Sequence, residues 1–86
     1  MSILEKIKNL AKENLEKTVR LRRHLHENPE LSFCEFETAK YIATELRAIG
    51  IEPLEGIAGT GLLALIKGNN PEKRTLALRA DMDALP

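Results

Sequence analysis

The run Arg79-Ala80-Asp81-Met82-Asp83-Ala84-Leu85-Pro86 sets two carboxylates two positions apart just after the apolar stretch TLAL. On a strand, side chains at that interval point to one side, about 6.6 Å apart at roughly 3.3 Å per residue. Such a pair suits a metal ion or a polar substrate held between its members. Two carboxylates this close also repel, which raises one pKa unless a cation or hydrogen bonds compensate. Arg79, two residues before Asp81, offers part of that charge. Asp also serves turns and helix caps readily, so D-x-D by itself reads equally as the end of a strand.

The other reactive side chains are less telling. His24 and His26 sit two apart, about 200° round a helix, so they cannot share one metal while both are helical. Near a helix C-terminus, each suits the negative end of the dipole. Arg20, Arg22 and Arg23 form a small basic cluster that a solvated helix face explains as well as phosphate binding does. Cys34 has no second Cys or His at ligand spacing and reads as structural or incidental. Gly56, Gly59 and Gly61 precede an apolar run instead of joining a strand to a helix, and no Lys-Ser or Lys-Thr pair follows. A turn before a strand is the better account than a phosphate-binding loop.

The elements that must carry these residues follow from periodicity. Leu4, Ile7, Ala11, Leu15 and Val19 fall at helical intervals, predicting one amphipathic helix from Ser2 to about His26. Ser2 and Glu5 suggest a capping box at its start, and Asn28-Pro29 ends it. In LSFCEF, Ser32 and Glu35 predict a second capping box, with Leu31 and Phe36 at the staple positions. Ala39, Ile42, Ala43, Leu46 and Ile49 continue that second helix to Gly50, which stands where a left-handed cap is wanted. Beyond it, IEPL, GIAGTG, LLALI and TLALRA read as strands between turns, with LLALI and TLALRA predicted to form a hairpin across KGNNPEK. Their near-continuous apolar character calls for a sheet covered on both faces. The fold class expected is α/β: two N-terminal helices followed by strands that begin the sheet of an α/β sandwich, incomplete within these residues.

Composition narrows the rest. The chain has 86 residues, 43% of them hydrophobic but only 3% aromatic, so it is at most one small domain with few large anchors. Thirteen basic and thirteen acidic residues cancel, which leaves no global electrostatic case for nucleic acid or an anionic membrane. A single Cys excludes an intramolecular disulfide and fits a reducing, cytoplasmic setting. Charges interrupt every apolar stretch of the N-terminal segment, so neither a signal peptide nor a membrane span is read there.

D-x-D after an apolar strand is shared with the metal-nucleotide site of glycosyltransferases and the nucleophile strand of haloacid-dehalogenase-type phosphatases. Both fit poorly. The phosphatase pattern wants Thr or Val two residues after its second Asp, where this chain has Leu85. Taken in order, R-R-x-L-H-x-x-P-E-L at Arg22 to Leu31, E-x-x-T at Glu35 to Thr38, Thr60-Gly61, and R-A-D-M-D-A-L-P at Arg79 to Pro86 point elsewhere. From about Arg20 to Pro86, the chain resembles the opening of the aminoacylase, hippurate hydrolase and auxin-conjugate hydrolase group of the aminoacylase/carboxypeptidase metallopeptidase superfamily.

That resemblance implies that residues 1–86 are the N-terminal portion of a catalytic domain that hydrolyses N-acyl amino acids with metal-activated water. It further implies a divalent metal, Zn, Mn, Co or Ni, in the full-length protein, and a homodimer when complete. The expected ligands, among them a C-G-H-D-x-H stretch and a Glu-Glu pair, are not in these residues, so no metal is expected to be held by this segment alone. Where relatives carry H-x-D, with a ligating His and an orienting Asp, this chain has Asp81 and Asp83. Asp83, with Asp81 beside it, is therefore the candidate for a role orienting a ligand. The segment alone is expected to be inactive. A reading from another class is a non-catalytic α/β module that pairs its exposed sheet edge with a partner.

Overall fold

A computed structural model describes residues 2–86. The order is α1 (Ile3–Glu13), α2 (Leu15–Glu27), α3 (Phe36–Ala48), β1 (Leu54–Ile57) and β2 (Gly61–Leu63). Helices come first and strands after, as the α/β reading requires. The first helical segment differs in one respect, because it is divided at Asn14. Its side-chain amide donates to the Leu10 carbonyl at 2.7 Å, beside its own backbone N–H at 3.1 Å. An Asn side chain that bonds the backbone four residues back competes with the helical ladder, and here the backbone opens to φ −95°, ψ 2°. The helix resumes at once, with the Thr18 N–H donating to the Asn14 carbonyl. At the start of α1, the Ser2 hydroxyl accepts from the Glu5 N–H at 3.1 Å. The α2 helix ends at Glu27, before Asn28-Pro29, as the sequence indicates.

The capping box expected at Ser32 does not form. Helix α3 begins at Phe36, and the orphan N–H groups of its first turn are taken by Glu30. One oxygen of that carboxylate accepts from Thr38 N–H at 2.6 Å and the other from Glu37 N–H at 3.2 Å. These are the donors that an N-cap side chain satisfies, and a carboxylate also complements the positive end of the helix dipole. Because Glu30 occupies this place, Ser32 stays in the preceding turn and Glu35 is released from reaching back. Leu31 and Phe36 remain exposed, so no hydrophobic staple is made. The C-terminus of α3 matches expectation: Gly50 has φ +86°, with Ile51 N–H bonding Leu46 C=O and Gly50 N–H bonding Arg47 C=O. That paired pattern is a Schellman cap. Arg47 then reaches forward to Glu52 at 2.8 Å and Glu55 at 2.7 Å, tying the helix end to β1.

The hairpin lies elsewhere than the apolar runs suggest. Strands β1 and β2 pair antiparallel, Leu54 with Leu63 and Ile57 with Gly61, and their register shifts between Leu54 and Ile57. The connection is Ala58-Gly59-Thr60, a three-residue loop with left-handed backbone at Ala58 and Gly59. The predicted partner TLALRA is not in a strand, and Leu76 and Leu78 are 85% and 99% exposed. A strand that is apolar on both faces gains nothing from one edge and needs sheet neighbours and covering helices. Among the described residues these are missing.

Ala43 is the buried hydrophobic side chain of the core, whereas the buried polar set is Glu35, Thr38 and Thr60. The radius of gyration is 15.0 Å, against about 12 Å for a compact domain of this length. With so little apolar area removed from water, burial does not offset the entropy of ordering the chain. The 86 residues in isolation are therefore expected to melt broadly and without cooperativity by circular dichroism; a single sharp transition would contradict this.

Hydrogen bonds from Thr38, its side chain first and then its N–H, hold the Glu30 carboxyl below its ordinary value of 4.5. A depressed carboxyl pKa gives stabilisation that is present above the ordinary value and lost as pH falls through the lowered one. Exchange protection of the Glu37 and Thr38 amides should accordingly fade on acidification below about pH 4.5. Glu30→Gln should flatten that dependence, as followed by amide exchange against pH.

Candidate functional site

Three of the four sequence pieces that carry the resemblance meet at one cavity. The turn before α3, the β1–β2 loop and the segment Arg79–Asp83 together surround a cavity of about 410 Å³. Glu35, Thr60, Gly61, Asp81 and Asp83 all line it. Two polar links hold these walls in place. The Thr60 hydroxyl donates to Glu35 Oε1 at 3.1 Å, across 25 residues of sequence, and both residues are 8% exposed. The Ala84 N–H donates to the Glu30 carbonyl at 2.9 Å, which fastens the residue after Asp83 to the α3 turn.

Asp81 and Asp83 line one cavity, but strand geometry does not bring them there. Residues 79–83 form no strand, so the period-two spacing of a strand does not set their separation. Asp81 accepts from Arg79 at 3.2 Å, the charge compensation foreseen for the pair. Both partners are largely exposed, and an ion pair of that kind contributes little to stability. Asp83 is exposed at the cavity.

His24 and His26 lie in the last turn of α2, where the dipole favours them, and away from this cavity. The His24 ring also stacks on Tyr41 of α3, with centroids 3.7 Å apart and planes inclined by 13°. Cys34 is exposed and unpaired by any disulfide.

A divalent cation such as zinc wants three or four converging donors. Among the described residues, no group of three or more His, Cys, Asp or Glu side chains is placed to hold a metal ion. Glu35 is the third carboxylate at the cavity, and its Oε1 is already engaged with Thr60. The three carboxylates line one cavity. They make a polar wall.

No protein-family model matches the chain, and no solved structure matches it significantly. Curated proteins do. Thermostable carboxypeptidase 2 of Saccharolobus solfataricus is 51% identical over the whole of this chain, which covers 22% of that protein. Hippurate hydrolase of Campylobacter jejuni is 48% identical over 78% of the chain and 17% of its own length. An IAA-amino acid hydrolase of Arabidopsis thaliana is 50% identical over 79% of the chain and 15% of its own length. The chain belongs to the aminoacylase and hippurate hydrolase group. It spans about a fifth of the length of the curated relatives it matches.

Within this segment the sequence marks Asp81 and Asp83 as site candidates, whereas Glu35 is read there only as a capping partner of Ser32, and Glu30 and Thr60 only as parts of motif pieces. Their signal was present as the P-E-L, E-x-x-T and T-G pieces. What was missing was the fold that brings residues 25 positions apart into one hydrogen bond.

The wall is tightly made at Gly61, where a Cβ would stand 2.5 Å from the Ile57 carbonyl oxygen. Backbone cannot yield as the end of a flexible side chain would. Gly61→Ala should therefore cost about 1–3 kcal/mol of local opening free energy, the range for overpacking. Hydrogen exchange at the Leu63 amide measures it, and unchanged protection would show that the hairpin tolerates the added methyl.

Proposed function

We propose that these residues form one wall of the active site of a metal-dependent amidohydrolase that cleaves the amide bond of N-acyl amino acids. The observation that carries this reading is 51% identity across the whole chain to a named carboxypeptidase, alongside hippurate and IAA-amino acid hydrolases near 48–50%. Carboxypeptidase, hippurate and IAA-conjugate substrates share one feature, an amide between an acyl group and an amino acid. The cavity supports the same reading, because it gathers Glu35, Thr60 and Gly61, members of two further motif pieces, around Asp81 and Asp83.

In this proposal residues 1–86 are the opening portion of the catalytic domain. The metal, Zn, Mn, Co or Ni, takes its ligands from residues outside them, as does the dimer interface. This chain's own side chains supply orientation and charge. Asp83 accepts a hydrogen bond from a ligating imidazole and so fixes its tautomer and direction. Asp81, neutralised in part by Arg79, shapes the potential beside it. No helix among the described residues is long and apolar enough to cross a membrane. The single Cys34 suits a reducing, cytoplasmic setting.

A second reading, a partner-binding module, has the exposed apolar run 75–80 in its favour, since its backbone pairs with no strand and could be offered to a partner's sheet edge. One experiment separates the two: read the transcript past the codon for Pro86 and assay the product of the whole frame on N-benzoylglycine. Hydrolysis abolished by a chelator supports the amidohydrolase. A cooperatively folded product that binds a partner and leaves the amide intact supports the module. In the hydrolytic protein, Asp83→Asn is expected to lower kcat/KM about 10–100-fold with the fold retained by circular dichroism; an unchanged rate would remove Asp83 from the site.

A further inference from the structure

Phe33 at φ 67° and Ala58 at φ 52° are the left-handed residues other than glycine among those described. Each stands two positions before one partner of the Thr60–Glu35 hydrogen bond, and each lines the cavity that Asp81 and Asp83 line. A side chain in this backbone region carries strain, which persists only where the surrounding structure over-determines it, and such strain gathers at functional sites. Here the two strained positions flank one bond from both sides.

That bond is also out of proportion to its setting. It is buried in a chain whose buried hydrophobic core is Ala43. A hydroxyl and a carboxylate taken from water into contact return little net stability, because each gave up hydration to make it. What they do return is a single allowed geometry, since either partner left alone and buried is costly. The geometry is transmitted along a short path. Glu35 closes the turn that starts at Glu30, in which Cys34 N–H bonds the Leu31 carbonyl, and the Glu30 carbonyl holds the N–H of Ala84 beside Asp83.

We infer that Thr60 and Glu35 are positioning residues: their buried bond sets the turn 30–35, and through the Glu30 carbonyl that turn sets where Asp83 stands. The activity arm of the test rests on the amidohydrolase reading, whereas the exchange arm does not. In the protein translated from the complete reading frame, Thr60→Val removes the donor and keeps the volume. Exchange protection should then be lost at the Ala84 amide and across residues 57–63, while α1 (Ile3–Glu13) is unaffected.

On N-benzoylglycine, kcat should fall about tenfold with KM held within about twofold, the split expected when orientation and not substrate binding is lost. Thr60→Ser, which restores the hydroxyl, should recover both. Should Thr60→Val fail to fold, Glu35→Gln, which keeps an acceptor for the hydroxyl, should retain Ala84 protection and Glu35→Leu should lose it. Undiminished Ala84 protection in Thr60→Val and Glu35→Leu would overturn the inference. A wild-type protein that protects Ala84 yet leaves the amide intact would overturn the amidohydrolase reading alone.

Discussion

The carboxylate of Glu30 sits where the first turn of α3 leaves N–H groups without helical partners, and the carbonyl of the same residue takes the N–H of Ala84. The start of α3 and the C-terminal segment meet at this residue. Its side chain decides where α3 begins, because a carboxylate already bonding Glu37 and Thr38 leaves no place for a capping box from Ser32. Starting α3 at Phe36 leaves Glu35 at the edge of the turn, free to reach Thr60. Its backbone fixes the acidic run Asp81-Met82-Asp83, which has no strand partner of its own. Without Glu30, the helix start and the attachment of the carboxylates would both be unspecified.

Polar contacts do the organising because apolar burial is so slight. The stripe of α1 faces outward, with Ile7 and Leu10 exposed, and those of α2 and α3 are only half-buried at Leu21, Leu25, Ile42 and Leu46. In an ordinary domain such stripes close on one another and fix the elements by packing. Here Arg47 bridging Glu52 and Glu55, the Schellman cap at Gly50 and the Thr60–Glu35 bond supply the geometry. Each contributes little energy but defines direction, so local order is preserved where global cooperativity is weak.

The cavity gains its meaning from the relatives. Three walls converge on it, and the carboxylates at its edge are exposed and charged, the condition in which a side chain can meet a ligand or another part of an active site. The relatives are a carboxypeptidase, a hippurate hydrolase and an IAA-amino acid hydrolase by name, and all are several times longer than the matched residues. These residues correspond to about a fifth of such a protein. The chemistry that a metal and its ligands would add does not follow from these side chains.

Local features were legible from the sequence. Apolar spacing marked the helices, Ser2 marked a start, Asn28-Pro29 and Gly50 marked two ends, and the ordered motif pieces marked the family and the carboxylate pair. All of these depend on residues within a turn or two of each other, where propensity and capping act directly. The division at Asn14 also rests on a local bond, but one the apolar stripe conceals. The tertiary structure alone decided that Glu30 and not Ser32 caps α3, that LEGI pairs with GLL while TLALRA stays unpaired, and that Glu35 meets Thr60. In each case several local partners were chemically adequate. The choice among them is made by which groups the folded chain brings within hydrogen-bond reach, and that proximity is a property of the whole path and of no single segment.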